Sequence, residues 1–263
     1  MNIKRNKIIQ LCALMFLNGG TFVAILFCAM MMHHENHLLD NIIDQAVSPD
    51  MSDRQKAVAL LNTTHELLKP RHEFFANDDG ASIREKWFGS TDTHIMSAKG
   101  ACGSYAGVLT RMLQRTGIES RLAQMKCQDQ WGCHIVLEAK IDGKFSVLDP
   151  LYNVAFENQK GELAGFKEVG NNWNYFKSQI PDHYYPGYQY QGVRYTNWQK
   201  IPVLMPLIKK GLNLIMGERA NEVSIRSYVL NIYQVYLLLL LLVFLLLFLT
   251  TYKLVTNNSD QHK

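Results

Sequence analysis

An α+β domain held between two membrane-spanning helices is the fold class that the sequence predicts, with a cysteine-bearing helix packed on an antiparallel sheet. Three observations predict it. Residues 8–32 and 229–251 hold no Asp, Glu, Lys or Arg, and each run is long enough to cross a hydrocarbon core of about 30 Å. Behind Cys102, Tyr105, Val108, Leu109, Met112 and Leu113 recur at helical spacing. Two β-prone runs then flank Asp142-Gly143, a pair that tolerates positive φ at both turn positions.

From the N-terminus, Lys4, Arg5 and Lys7 place positive charge before the first apolar run. That bias sets residues 1–7 in the cytoplasm and the chain beyond the span outside. Phe27, Cys28 and the methionines after them offer no small-residue cleavage site and a poor context for lipid attachment, so the run reads as an uncleaved anchor. Asn18-Gly19-Gly20 is a place either to kink this helix or to pack it against another. Ser52-Asp53-Arg54-Gln55 has the form of a capping box, opening a helix with Ala57, Leu60, Leu61 and Leu68 on its apolar side. Lys69-Pro70 is expected to stop that helix. Asp78-Asp79-Gly80 reads as a turn lacking the acidic spacing of a calcium loop. The helix that begins at Cys102 should end at Gly117.

The hairpin follows. With a two-residue turn, Ile141 pairs with Lys144, and counting back sets Val136 opposite Asp149. Side chains alternate, so His134 shares that face, a diagonal neighbour of Asp149 at roughly 7 Å between backbones. Ile135, Leu137, Ala139 and Leu148 fall on the opposite face as core. Pro150 ends the strand, and a bulged three-residue turn would separate the pair. Residues 173–198 are dense in tyrosine and suit core packing, an interfacial belt or a substrate platform. Leu204, Leu207, Ile208, Gly211 and Ile215 share a helical face opposite Lys209, Lys210 and Asn213, which suits a helix on the membrane surface or one packed on the domain. In the second span, residues 237–249 are only Leu, Val and Phe.

The predicted organisation is therefore a cytoplasmic N-terminus at 1–7, a span at 8–32, a domain at 33–200 with its core at 50–160, a juxtamembrane amphipathic segment at 201–228, a span at 229–251 and a cytoplasmic tail at 252–263. A formal charge of +4 does not suggest a nucleic-acid partner. His33, His34 and His37 read as a polar juxtamembrane stretch, and no Cys/His set has zinc spacing, so neither metal nor cofactor is expected. Cys127 and Cys133 either close a disulfide loop or remain two thiols.

Cys102, His134 and Asp149 are the candidate catalytic residues. A helix N-terminus and a nearby imidazolium both favour thiolate, and an acid can fix the imidazole tautomer. In the order helix Cys, strand His, next-strand Asp-Pro, the chain resembles the transglutaminase-like superfamily, relatives of papain-type thiol enzymes. The likeness rests on residues 100–121, on His134-Ile135-Val136-Leu137-Glu138 and on Val147-Leu148-Asp149-Pro150. It implies a transglutaminase-like fold over about residues 50–160, with Cys102 as nucleophile, His134 as its base and Asp149 orienting the ring. The Cys102 amide is one candidate oxyanion donor, and Trp87 or His94 are candidates for a second. The implied activity is hydrolysis, deamidation or acyl transfer on peptide or isopeptide amides. Partners would be a peptide or protein substrate and membrane lipid, at a bacterial inner membrane with the central domain extracytoplasmic. The rival expectation is a non-catalytic module binding a protein partner in an envelope or surface-polysaccharide assembly.

Overall fold

A computed structural model describes residues 2–75 and 89–259. The chain divides into two compact units, one of residues 1–37 with 231–263 and one of residues 38–230. The first unit pairs the long helix α1 (Asn2–Ala46), up to residue 37, with α9 (Ile232–Ser259). Both helices are long and apolar enough to cross a membrane. Their leucine, phenylalanine and methionine side chains are exposed within the unit, Phe16, Phe27 and Leu238 among them. Asn18 Nδ2 donates to Leu14 O and, at 3.1 Å, to Thr251 Oγ1, so the polar break in the first span makes a helix contact and α1 continues through it. Both helices run beyond the predicted spans, α1 to Ala46 and α9 to Ser259.

The second unit is built on a five-stranded antiparallel sheet in the order β4-β3-β2-β1-β5. Its strands are β1 (Ser120–Cys127), β2 (Gln130–Ile141), β3 (Lys144–Asp149), β4 (Val154–Ala155) and β5 (Val193–Arg194). Period-two alternation is plain in β2 and β3. Leu137, Ala139, Ile141 and Leu148 face one side, where they join Leu39 and Ile43 of α1, Leu60, Leu61 and Leu68 of α2 (Asp53–Phe75) and Val108, Leu109, Met112 and Leu113 of α4 (Cys102–Arg115). Between α2 and α4 lies the short α3 (Thr91–Ser97). Val136 and Val147 face the other side, against Phe156, Phe166, Phe176, Tyr184 and Tyr190. The sheet is thus covered on both faces, and each fully buried leucine contributes about 1.5–3 kcal/mol. Among the covering segments are α5 (Phe166–Asn171) and α6 (Trp173–Phe176) on the aromatic side. The chain then continues into α7 (Leu204–Met216) and α8 (Ile225–Tyr228).

Three local expectations can be compared directly. Ser52 N donates to Gln55 Oε1 at 2.8 Å while Gln55 N donates to Ser52 Oγ at 3.3 Å, the reciprocal pair of a capping box. The helix it opens does not stop at Lys69-Pro70 but runs through Pro70 to Phe75. The Arg71 guanidinium donates to Leu67 O in the same turn, and Leu68 is buried in the core, so packing holds the helix across the proline. The apolar side of α7 is open: Leu204, Leu207, Leu214 and Ile215 are exposed instead of packed on the domain.

Candidate active site

The site is assembled where α4 starts. Ala98 has φ 49° and Ala101 has φ 43° with ψ −126°, two turns of the backbone that non-glycine residues seldom make. Strain of about 1–3 kcal/mol at such a residue persists only where its surroundings hold it. Gly100 N donates to Ser104 Oγ at 3.0 Å, and that hydroxyl also meets His94 Nδ1 at 2.9 Å. A Cβ on Gly100 would lie 2.6 Å from Ser104 Oγ, so a side chain there would displace that hydroxyl. Thus braced, the chain delivers Cys102 as the first residue of α4, half-exposed. The Cys102 N–H donates to no carbonyl among the described residues, as is usual for the first amides of a helix.

The hairpin supplies the other two groups. Asp142 and Gly143 have φ 51° and 79°, the two-residue turn with both central residues left-handed. Ile141 therefore pairs with Lys144 and Leu137 with Leu148, and one step further Val136 stands opposite Asp149. His134 lies on the Asp149 face as that register requires. Its Nε2 is 2.8 Å from Asp149 Oδ2, and both side chains are fully buried. That contact occupies Nε2 and leaves Nδ1, which is buried without another hydrogen bond among the described residues, as the nitrogen available to the thiol.

Electrostatics follow from this packing. Burial opposes charge on His134, but the Asp149 carboxylate and the neighbouring thiol overcome it and push the imidazole up to about 10. Burial likewise opposes the Cys102 thiolate. The His134 ring and the Ile135 backbone outweigh it, so the thiol sits below its ordinary value. The two shifts are reciprocal: a charged ring favours the thiolate, and a thiolate favours the charged ring.

The tyrosine-rich segment closes around it. Tyr184 Oη donates to Asp149 Oδ2 at 3.0 Å and is itself 3.0 Å from Tyr190 Oη. Tyr188 stacks on the His134 ring with centroids 4.3 Å apart and planes 6° from parallel, its hydroxyl donating to Cys133 O. Tyr152 meets the same ring edge-on at 5.8 Å. Cys133, the residue before His134, is bonded to Cys127, which ties the turn end of the β1–β2 hairpin.

With this geometry in view, comparison with known families matches residues 40–150 to the transglutaminase-like superfamily. These residues form a transglutaminase-like domain. No curated protein and no solved structure matches the chain. The matched segment starts in the last turns of α1 and ends at Pro150, one residue after the acid.

All three residues singled out from the sequence thus lie in the transglutaminase-like domain, and the structure brings them together. His94, a candidate oxyanion donor, has its Nδ1 turned to Ser104. Trp87, the other candidate, and the Asp78-Asp79-Gly80 turn lie outside the described residues. Tyr184, Tyr188 and Tyr190 were legible only as an aromatic-rich stretch. Nothing in residues 173–198 marks which hydroxyl reaches an acid encoded about 35 residues earlier. No group of three or more His, Cys, Asp or Glu capable of holding a metal occurs among the described residues.

Proposed function

We propose that this protein is a membrane-anchored, cysteine-dependent amide hydrolase or acyl transferase working on peptide or isopeptide amides outside the cytoplasm. The observation that carries the reading is the buried relay from Asp149 through His134 to a thiol of lowered pKa at a helix start. The Cys102 thiolate attacks the amide carbon, forming an S–C bond and an oxyanion, toward which the Cys102 N–H is one donor. Collapse breaks the C–N bond, and the imidazolium gives its proton to the departing amine. His134, now neutral, takes a proton from water or from an acceptor amine as that nucleophile attacks the thioester and expels the thiolate. Water completes hydrolysis or deamidation; an amine completes a crosslink. Asp149 holds the ring so that one nitrogen serves both transfers.

Placement outside the cytoplasm is supported by the positive residues before α1 and by the Cys127–Cys133 disulfide, since such bonds persist in oxidising compartments. In a bacterium the domain would face the periplasm, with both spans in the inner membrane. The open apolar side of α7 suits a helix resting on the bilayer surface.

Alkylation of the full chain in detergent tests the reading. Iodoacetamide should modify Cys102 at least tenfold faster than it modifies a small thiol at pH 6, where ordinary thiols are protonated. His134→Ala should remove that advantage. Peptide mapping separates Cys102 from the free thiols Cys12 and Cys28 of α1. Labelling at ordinary rates would instead favour a non-catalytic module that binds an envelope partner.

A further inference from the structure

A cation stands beside the thiol that the relay does not use. Arg226 lies on α8, far outside the transglutaminase-like match. Two bonds fix that helix to the domain through the next residue: Leu122 N donates to Ser227 Oγ at 2.8 Å and Gln114 Nε2 to Ser227 O at 3.2 Å. Arg226 is thereby delivered to the start of α4. A Cβ built on Gly103, the residue after Cys102, would lie 3.3 Å from Arg226 Nη2 and 3.8 Å from Nη1. The guanidinium rests against the one position in this turn that lacks a side chain.

Its partners are what make it informative. Half-buried, Arg226 makes no side-chain hydrogen bond or ion pair with a described residue. Arg121, by contrast, is paired with Glu138 at 2.9 Å. Burial lowers the Arg226 guanidinium from its ordinary value, and the Cys102 charge is the one group that pulls it back. Thiolate and imidazolium cancel, and Asp149 is fully buried behind the ring, held by His134 and Tyr184. An arriving substrate therefore meets the Arg226 guanidinium beside the start of α4. A half-desolvated guanidinium with open donors is matched by a carboxylate, whose two oxygens fit its fork.

We propose that Arg226 is a carboxylate-binding subsite, selecting substrates that carry a negative charge next to the amide Cys102 attacks. The inference rests on the thiol-enzyme reading above and names its substrate class. Arg226 contacts substrate under this proposal and takes no part in proton transfer.

The test uses two reagents of one size and mechanism, iodoacetate and iodoacetamide, on the full chain in detergent. Their rate ratio at Cys102, divided by the same ratio for 2-mercaptoethanol, cancels thiol nucleophilicity and leaves the preference for a carboxylate. The expected normalised ratio is at least 10 in 20 mM salt, falling severalfold in 0.5 M salt. Arg226→Gln should bring it to about 1 while iodoacetamide alone still reacts fast, and Arg226→Lys should retain most of it. A wild-type ratio near 1 overturns the proposal without any variant having to fold. So does a high ratio that survives Arg226→Gln. A parallel fall for both reagents would make Arg226 a thiolate stabiliser and also overturn it. Fast iodoacetamide labelling with a ratio near 1 would sink the subsite and leave the thiol enzyme standing. Slow labelling by both would sink the enzyme reading itself. Protection by N-acetylalanine rather than N-acetylglutamate α-amide would identify a chain-terminal carboxylate, and the reverse a side-chain one.

Discussion

Residues 40–150 and residues 151–230 contribute to the same site in different ways. The first stretch holds every group that would move electrons or protons: Cys102, His134 and Asp149. The second holds none of these, yet it supplies Tyr184 on the acid, Tyr188 on the ring and Arg226 beside the thiol. The proposed chemistry therefore sits on a strand register and a helix start, which short-range sequence rules define. The proposed support comes from tyrosines on the second face of the sheet, and the proposed selectivity from Arg226 beside α4. On this reading one part of the domain carries the reaction while another chooses the substrate.

Three variants sharpen that division. The largest effect is expected for Asp149→Asn within the matched region, a loss of about 1000-fold in the rate of amide cleavage, or ~4 kcal/mol. The pH dependence should change with it. With Asp149 charged, the imidazolium survives to about pH 10, so the cleavage rate should decline only above that. Without the carboxylate, His134 should lose its proton at lower pH, and the alkaline limb should move down accordingly. The same loss of imidazolium should raise the thiol, so rapid iodoacetamide labelling at pH 6 should disappear. A limb that stays near 10 in Asp149→Asn would show that some other group holds the proton.

Replacing both Cys127 and Cys133 by serine should act on stability before chemistry. Opening so short a loop costs about 2 kcal/mol, a fall of roughly 4–8 °C in Tm for a domain of this size. Labelling of Cys102 should fall less than fivefold below that Tm, because the His134–Asp149 contact does not run through the disulfide. A larger loss would mean that the bond positions His134 through its neighbour Cys133.

The smallest effect is expected outside the match. Tyr184→Phe removes one hydrogen bond to a charged acceptor and leaves the ring in place, so cleavage should slow about tenfold, near 1.4 kcal/mol. Because Asp149 keeps His134, the alkaline limb should remain. An effect as large as that of Asp149→Asn would erase the distinction between the chemical region and its support.

The two regions were also unequally legible. Asp142-Gly143 determined the hairpin register, and the register determined that His134 and Asp149 share a face, because side-chain alternation leaves no freedom once the turn length is set. Ser52 and Gln55 announced their helix start, and the two apolar runs announced helices long enough to span a membrane. These are signals carried within a few residues, where backbone sterics and periodicity decide. Pro70 marks the limit of such rules: a proline expected to end α2 is carried inside it, with Arg71 bonded to Leu67 O and Leu68 in the core. What only the tertiary structure decided is which tyrosine hydroxyl meets Asp149, which ring stacks on His134, and that Arg226 arrives beside Gly103. Those contacts join residues tens to more than a hundred positions apart. Their pairing depends on how the chain packs across the sheet, and no local periodicity encodes that path.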